Sequence, residues 1–403
     1  MSGKNPLFIK IISVLLGGVL TFTAVKLSGT EPFSLLSKAV LLSARGNLYV
    51  NEDVLATSVE KTDADYVFSE LTSPVELIIP DTTAAPSADE GVTEKEAEEE
   101  TEGKQEKQEK QEPASVLTDT DEDIVAVMKS AEKKADKDKK DGDIEDYFYK
   151  NDGVTDSYGK VRVKNTNKTD IDIKSKLNEK LDLSIDKDEP AVLVYHTHTT
   201  ETYQILDRDF YAVGAKTRTS DEQLNMVRVG KALCDELERA GYKTIHVTDI
   251  HDNPYSGAYS RSRKTVEQYL KEYPSIQITV DLHRDAIHRS DGTKVAPTAE
   301  INGKKAAQIM IISGCQEEGN GITNLPDWEY NLAFALQLQQ SLENNFEGIT
   351  RPLYFCPRSY NMNMTHCSLL IEMGSDANTL EEAVYSGKCL GVALSDILKE
   401  YDE

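Results

Sequence analysis

Two histidines and one glutamate follow apolar stretches of this sequence. His198 and Glu201 come just after the apolar run Val192–Tyr195, which predicts a buried strand. His283 ends a second apolar run, which begins at Ile278. Open α/β sheets place their sites at the carboxyl ends of strands, so the three side chains are expected to meet there. Because catalytic zinc uses three nitrogen or oxygen ligands and one water, we predict that His198, Glu201 and His283 bind one zinc ion.

A further carboxylate is expected at the same edge of the sheet. Glu372 ends the apolar run that begins at Ser368. Bound zinc lowers the pKa of its water towards ~7, and a neighbouring carboxylate can take that proton and pass it to a leaving nitrogen. We predict that Glu372 is the general base of an amide hydrolase. The alternative is a solvated or helix-capping glutamate.

Three other polar residues stand near these positions in the sequence. Asp281 lies two residues before His283 on the same strand, shares its face, and is expected to orient it. His196 is a competing ligand because it has the same parity as His198; its other reading is a residue that supports the site or binds substrate. His251 follows a strand and is expected to face the cleft.

Arginines provide candidate contacts for a peptide substrate, because the guanidinium group binds carboxylates in two-pronged geometry. Arg284, which abuts His283, and Arg218 are the main candidates, and Arg261 and Arg263 are weaker ones. Each has an alternative reading as a surface arginine. The remaining histidines are predicted to be ordinary surface or core residues: His246, His288 and His366.

Composition excludes some classes of partner and site. The chain has 403 residues and a formal net charge of -25, which argues against nucleic-acid binding. Its five cysteines include no C-x-x-C pair, so a cysteine-type structural zinc site is not expected. Free cysteine packs as a small hydrophobe, and we predict reduced or buried thiols; a disulfide in an extracytoplasmic domain is the alternative.

The N-terminal part predicts a membrane anchor and a linker. Residues 7–27 are apolar over about the ~20 residues that a transmembrane helix needs, and Lys4 and Lys10 favour a cytoplasmic N-terminus. The alternative is a cleaved signal peptide; either one exports the rest of the chain. The predicted domains are an anchor (1–30), a membrane-proximal segment (31–80), a disordered acidic linker (81–125) and a zinc-dependent catalytic domain (126–403). The linker contains the repeat KQEKQEKQE and no aromatic residue, so it cannot bury a core; an acidic docking tail is its alternative.

Strands and helices alternate from residue 191 onward, which predicts an α/β fold with a mainly parallel sheet flanked by helices on both faces. Strands are predicted at 191–195, 244–247, 276–282, 306–313 and 368–372. Helices are predicted at 221–240, which ends at Gly241, and at 261–272, 327–344 and 381–401. Before them, the patterns favour a short helix at 129–140, a strand at 161–164 and helical spacing over 171–183.

Several longer motifs resemble the stage II sporulation protein P family of spore-forming Firmicutes. They are YHTHTTETY, the loop that ends at Arg218, HDNPYSGAYSRSR, VDLHRDA and SLLIEMGSDANTLEEA, in this order from about Val161 to the C-terminus. The resemblance implies a zinc N-acetylmuramoyl-L-alanine amidase fold of the phosphorylase/hydrolase-like type. It also implies peptidoglycan hydrolysis, with amidase and endopeptidase activity, in the septal space during engulfment. The implied partners are sporulation protein D, a lytic transglycosylase, and sporulation protein M, a membrane protein.

The resemblance also implies roles for individual residues. His198 and His283 occupy the positions of the two metal-binding histidines, Glu201 matches the glutamate of the first motif, and Glu372 matches the catalytic glutamate. Amidases in general draw a glutamate ligand from a later segment, which makes Glu222 a weaker alternative to Glu201. Residues 362–367 depart from the family pattern, and a different loop is expected there.

The sequence therefore predicts a membrane-anchored, zinc-dependent peptidoglycan hydrolase that acts on the septal wall during sporulation. Two alternatives stay open at this point. One is a zinc carboxypeptidase that removes terminal residues from stem peptides. The other is a wall-binding subunit that keeps the fold without the chemistry.

Overall fold

The computed structural model describes residues 12–16, 19–23, 77–79, 117–135 and 137–403. The chain forms two compact units, Met1–Asp63 and Ala64–Glu403. In the first unit, strands β1 (Ile12–Leu16) and β2 (Val19–Thr23) pair antiparallel. Both strands fall inside the segment predicted to cross the membrane, and most of the predicted linker lies outside the described residues. No helix in the described part has the length and apolar character of a membrane span. The anchor and the linker stay predictions.

The second unit is a mixed α/β fold. Its strands are β3 (Leu77–Ile79), β4 (Lys140–Tyr147), β5 (Asp156–Tyr158), β6 (Val161–Asn165), β7 (Val192–Tyr195), β8 (Phe210–Ala212), β9 (Thr244–His246), β10 (Ile278–Asp285), β11 (Ile287–Arg289), β12 (Lys294–Ile301), β13 (Lys304–Ala307), β14 (Ile309–Gly314), β15 (Leu353–Cys356) and β16 (Cys367–Ser375). Its helices are α1 (Glu122–Ala135), α2 (Ile173–Leu177), α3 (Met226–Arg239), α4 (Ala258–Glu272), α5 (Trp328–Asn345) and α6 (Leu380–Leu398), with a 3-10 turn at Lys399–Tyr401. Helix α1 crosses the predicted boundary between linker and catalytic domain.

The main sheet has eight strands in the order β5-β6-β15-β14-β16-β10-β7-β9. Five of its seven neighbouring pairs are parallel, in agreement with a mainly parallel sheet. The exceptions are β5 with β6 and β14 with β16, which are antiparallel. Apart from the edge strand β5, the sheet therefore consists of two blocks of parallel strands that run in opposite directions and meet between β14 and β16.

Helices cover both faces of this sheet. Because side chains alternate across a strand, Val192 and Val194 of β7 face one side and pack in the core cluster with α3, α5 and α6. Leu193 and Tyr195 face the other side and pack with Val266 of α4. All five cysteines are free and buried, as predicted.

Local sequence signals explain where the helices near the site begin and end. The Asn225 side chain accepts a hydrogen bond from the Val227 N–H and caps α3. Gly241 follows the same helix with a φ of 93°, as its predicted role as a C-terminal cap requires. Thr379 and Glu382 form a capping box that starts α6.

A second, smaller sheet lies outside the predicted pattern. It has the order β3-β11-β12-β4-β8, and β13 pairs with β12. The strand predicted at 306–313 is in fact two strands, β13 and β14, which belong to different sheets. The helical spacing predicted over 171–183 yields a helix only at Ile173–Leu177.

Candidate metal centre and active site

The carboxyl ends of three neighbouring strands, β7, β10 and β16, form the site. His283 on β10 is the register partner of Glu372 on β16, so the two side chains lie on the same face of adjacent parallel strands. His198 and Glu201 lie in the loop that follows β7, the other neighbour of β10. All four side chains are buried. The strand order therefore brings together residues that are up to 174 positions apart, from His198 to Glu372.

His198, Glu201 and His283 form a group that could hold one metal ion, because their candidate ligand atoms all lie within 4.8 Å of one another. Glu201 Oε1 is 3.5 Å from His198 Nδ1, and Glu201 Oε2 is 3.7 Å from His283 Nδ1. Both Nδ1 atoms are buried and lack a hydrogen-bond partner. Buried polar atoms are normally satisfied, so these two call for a ligand. Two imidazole nitrogens and one carboxylate oxygen suit Zn²⁺.

Two arginines hold Glu201 in place. The Arg284 backbone N–H donates to Glu201 Oε2 over 3.2 Å, and Arg218 Nη2 donates to Oε1 over 3.3 Å. Burial alone would raise the pKa of Glu201. The positive charge of Arg284 and the hydrogen bond and charge of His198 outweigh burial and hold the pKa of Glu201 well below its ordinary value. Glu201 is therefore an ionised carboxylate, as a metal ligand must be.

Asp281 lies against the ring of His283. Its carboxylate accepts hydrogen bonds from the Thr197 N–H (2.8 Å) and the Thr197 hydroxyl (2.7 Å), and its Oδ1 lies 3.0 Å from His283 Nε2. This arrangement leaves His283 Nδ1 to face Glu201. Burial lowers the pKa of His283, but the charge of Asp281 together with that of Glu201 outweighs burial and raises the pKa to about 9. The distance suits an orienting carboxylate, but the contact is an ion pair, because His283 Nε2 has no partner with hydrogen-bond geometry.

Glu372 is the carboxyl group of the site that makes no hydrogen bond. Both of its carboxyl oxygens are buried and have no hydrogen-bond partner. Burial raises the pKa of Glu372 well above its ordinary value, and the negative charge of Asp285 adds to that shift, while His283 opposes it. A carboxyl group with a raised pKa next to a metal group can both accept and return a proton.

The structure does not bring His196 into the metal group. Its Nδ1 lies 3.2 Å from the Leu282 carbonyl oxygen, and its Nε2 lies 2.9 Å from Nε2 of His246. The two imidazoles pack against Gly230 of α3, where a Cβ atom would lie 2.6 to 2.7 Å from both rings. Burial lowers the pKa of His196 well below its ordinary value, so it is a neutral core residue.

His251 has a supporting position. Its Nδ1 lies 2.8 Å from the His196 carbonyl oxygen and its Nε2 lies 3.1 Å from the Thr265 hydroxyl. Both ring nitrogens are therefore occupied by protein atoms. His251 joins the loop after β9 to α4 and does not face the metal group.

The two main arginine candidates differ in their surroundings. Arg284 is buried, and its guanidinium donates to the carbonyl oxygens of Thr202, Thr217 and Asp285. It therefore holds the loop that carries Glu201 and does not have the position of a substrate ligand. The Arg218 side chain is 35% exposed and forms an ion pair with Asp252 beside the site.

The weaker candidates lie outside the metal group. Arg261 donates to backbone carbonyl oxygens of residues 251, 254 and 256, and Arg263 pairs with Glu267. Glu222 is exposed, whereas Glu201 is buried in the group. His366 lies at the other end of β16 with Asp182.

Aromatic residues enclose the metal group, and sequence reasoning did not assign them a role. The ring of Tyr255 stacks on His198 with centroids 4.7 Å apart. The ring of Tyr259 lies 5.7 Å from that of His198 and 6.3 Å from that of His283, and it stacks on Tyr360 at 5.6 Å. The available signal was the spacing of Tyr255 and Tyr259, four residues apart just before the helix predicted at 261–272, which in the structure begins at Ala258.

Comparison with solved structures finds N-acetylmuramoyl-L-alanine amidases at low similarity. The CwlD amidase from Clostridioides difficile, solved in complex with the GerS lipoprotein, is 12% identical, with a TM-score of 0.32 over 52% of this chain and 99% of that chain. AmiC2 of Nostoc punctiforme is 12% identical, with a TM-score of 0.31 over 52% of this chain and 97% of that chain. An amidase from Clostridium difficile 630 is 11% identical, with a TM-score of 0.31 over 53% and 99% of the two chains. Scores of this size carry no argument about function.

Comparison of sequences gives the family. The chain is 28% identical over 212 residues to stage II sporulation protein P of Bacillus subtilis (strain 168), which covers 48% of this chain and 48% of the relative. The match thus spans about half the length of that protein. The family model described as stage II sporulation protein P matches residues 48–395, which is most of the chain and includes every residue of the metal group. This chain therefore belongs to the stage II sporulation protein P family.

Proposed function

We propose that this chain is a zinc-dependent peptidoglycan hydrolase, an N-acetylmuramoyl-L-alanine amidase that cleaves the amide bond between the glycan strand and the stem peptide. One observation carries the proposal: the buried group of His198, Glu201 and His283 lies beside the unpartnered carboxyl group of Glu372. Family membership supports the choice of substrate, because the resemblance implies this reaction.

The proposed role of each residue follows from its contacts in the structure. His198, Glu201 and His283 hold the metal. Bound zinc supplies Lewis acidity, which polarises a carbonyl group and lowers the pKa of water. Glu372 takes the proton of the attacking water and returns it to the leaving nitrogen. Asp281 orients the ring of His283 through an ion pair, and the backbone of Arg284 fixes the carboxylate of Glu201.

Arg218 is the proposed contact for a stem-peptide carboxylate. Its guanidinium lies over the ring of Tyr255, 4.8 Å from the centroid, while Tyr255 stacks on His198. The side chain is partly exposed, so it borders the approach to the metal group. Among the arginine candidates, Arg218 thus combines exposure with proximity to the metal group.

The geometry weighs differently on the two alternatives. A carboxypeptidase would bind the terminal carboxylate through a guanidinium group; Arg284 is committed to loop carbonyl oxygens, but Arg218 would serve that purpose, so the products of the reaction must separate the two activities. A non-catalytic wall-binding subunit would gain nothing from a buried, unpartnered Glu372 next to a metal group, because burying such a carboxyl group lowers the stability of the fold.

We propose further that the N-terminal segment anchors the protein in the cell membrane, with the catalytic domain on the outer side in the septal space. There it would act on septal peptidoglycan during engulfment, with sporulation proteins D and M as partners. The apolar run of residues 7–27 and family membership support this setting.

Mass spectrometry of the products from purified peptidoglycan tests the proposed reaction. An amidase releases intact stem peptides that begin with a free alanine amine. Release of single terminal residues would point instead to a carboxypeptidase, and binding without any released product would point to a wall-binding subunit.

A further inference from the structure

The hydroxyl group of Tyr259 contributes no hydrogen bond to the fold. Tyr259 is the second residue of α4 and is 1% exposed, and its hydroxyl oxygen is buried without a hydrogen-bond partner. Buried hydroxyl groups normally have a partner because desolvation without one costs free energy. Packing needs only the ring, which phenylalanine would supply equally well.

The position of Tyr259 is fixed relative to the metal group. Its ring contacts those of both ligand histidines, His198 and His283, and stacks on Tyr360 from the other side. Its backbone carbonyl accepts a hydrogen bond from Asn361 Nδ2 over 3.1 Å. The side chain is therefore held at both its ring and its backbone next to the ligand histidines, and its hydroxyl makes no hydrogen bond within the protein.

An unpartnered donor and an unpartnered acceptor thus share the site. The donor is the hydroxyl of Tyr259, and the acceptor is the carboxyl group of Glu372. A tyrosine phenol has an ordinary pKa of about 10, so its hydroxyl is a hydrogen-bond donor at neutral pH.

We propose that Tyr259 is a further catalytic residue, whose hydroxyl donates a hydrogen bond to the carbonyl oxygen of the scissile amide as that oxygen becomes negatively charged. This inference rests on the proposed amide hydrolysis. A donor aimed at developing charge in a closed, dry site stabilises the transition state more than the substrate.

The proposed hydrolysis begins with attack of water on the scissile amide. A lone pair of the water oxygen forms a bond to the carbonyl carbon, the π electrons of the C=O bond move to its oxygen, and Glu372 takes a water proton. The oxyanion accepts the hydrogen bond of Tyr259. When the C=O bond re-forms, the C–N bond breaks, its electron pair goes to nitrogen, and Glu372 returns the proton there. Tyr259 keeps its own proton throughout.

Tyr259→Phe in the full chain tests the assignment, with Tyr385→Phe as the matched control. Tyr385 is as deeply buried, but its hydroxyl donates to the Ile301 carbonyl oxygen over 3.2 Å. In the zinc-loaded chain, Tyr259→Phe should lower kcat by ~10²–10³, the loss typical of an oxyanion donor, with little change in KM and in zinc content. Tyr385→Phe should leave kcat unchanged.

A stability measurement on the zinc-free proteins separates this role from a structural one. Tyr385→Phe should lower Tm by about 2–4 °C, because a buried hydrogen bond is lost. Tyr259→Phe should leave Tm unchanged or raise it, because no bond is lost. A kcat within threefold of the wild type, or a fall in Tm like that of the control, would overturn the proposal.

Binding of a phosphinate analogue tests the role of Tyr259 without turnover. Such an analogue presents a tetrahedral anion in place of the scissile amide. Tyr259→Phe should weaken binding of this analogue by about the same factor as the loss in kcat. Equal binding by the wild type and the variant would overturn the role of Tyr259, even if the wild type proved inactive. Inactivity of the wild type towards peptidoglycan would count against the proposed function itself.

Discussion

Replacing Glu372 by glutamine separates metal binding from proton transfer. Glutamine keeps the shape of the side chain but cannot accept a proton, so we expect Glu372→Gln to retain zinc and lose turnover. Glu372 is fully buried at the His283 register position and makes no hydrogen bond that the substitution would break. The fold should therefore survive the change.

The expected loss follows from the value of acid–base catalysis. General acid–base groups contribute ~10²–10⁴ in rate, which equals about 3–5 kcal/mol of transition-state stabilisation at 1.36 kcal/mol for each tenfold. We expect the upper half of this range, because Glu372 is the one carboxyl group among the described residues that is buried with both oxygens unpartnered, so no similar neighbour can replace it as proton acceptor.

The assay measures three quantities on one variant: zinc content, binding to purified peptidoglycan and released stem peptide. We expect zinc content and wall binding to equal those of the wild type, with strongly reduced release. A rate close to that of the wild type would show that Glu372 is not the general base. Loss of zinc together with activity would make Glu372 a metal ligand and weaken the assignment of Glu201.

Three further predictions concern the metal ligands, pH and the membrane. His198→Ala and His283→Ala should each lose zinc and hydrolysis, whereas Asp281→Asn should keep zinc with roughly 10–100-fold lower affinity; metal analysis that finds stoichiometric zinc in both alanine variants would exclude these ligands. Burial raises the pKa of Glu382 to about 7, so its favourable contribution to folding is present below pH ~4.5 and is lost as the pH rises through 7, by about 3 kcal/mol in total. Urea unfolding should therefore show Glu382→Gln gaining stability relative to the wild type between pH 5 and pH 8, and a constant difference would contradict this. The apolar run of residues 7–27 predicts that the full chain fractionates with membranes and that protease added to wall-depleted cells reaches the catalytic domain; protection in such cells with exposure in inverted vesicles would reverse the orientation.

The metal group could be predicted from sequence because its signal is local. Each apolar run gives way abruptly to imidazole and carboxylate residues, and strand ends at one sheet edge must lie close together. His196 and His198 could not be separated in this way, because they have the same parity and both follow the end of the strand. Only tertiary packing, which places His196 against His246 and α3, distinguishes them.

Local sequence patterns did not predict the relative direction of neighbouring strands or the contacts of the buried Arg284. Periodicity does not encode whether a strand runs parallel or antiparallel to its neighbour, so the reversal between β14 and β16 was not expected. The hairpin of β12 and β13 did have a sequence signal, the dipeptide Asn302-Gly303. Both residues have positive φ, as a two-residue hairpin turn requires. The role of Arg284 depends on carbonyl groups of a loop far away in sequence, which no motif identifies.

Titration of the metal-free chain with zinc, while released stem peptide is followed by mass spectrometry, tests the metal centre and the reaction together. If His198, Glu201 and His283 hold one catalytic ion, release should be absent without metal, rise in proportion to added zinc and level off at one equivalent. Undiminished release from the metal-free chain, or no release at any zinc level, would contradict a zinc amidase.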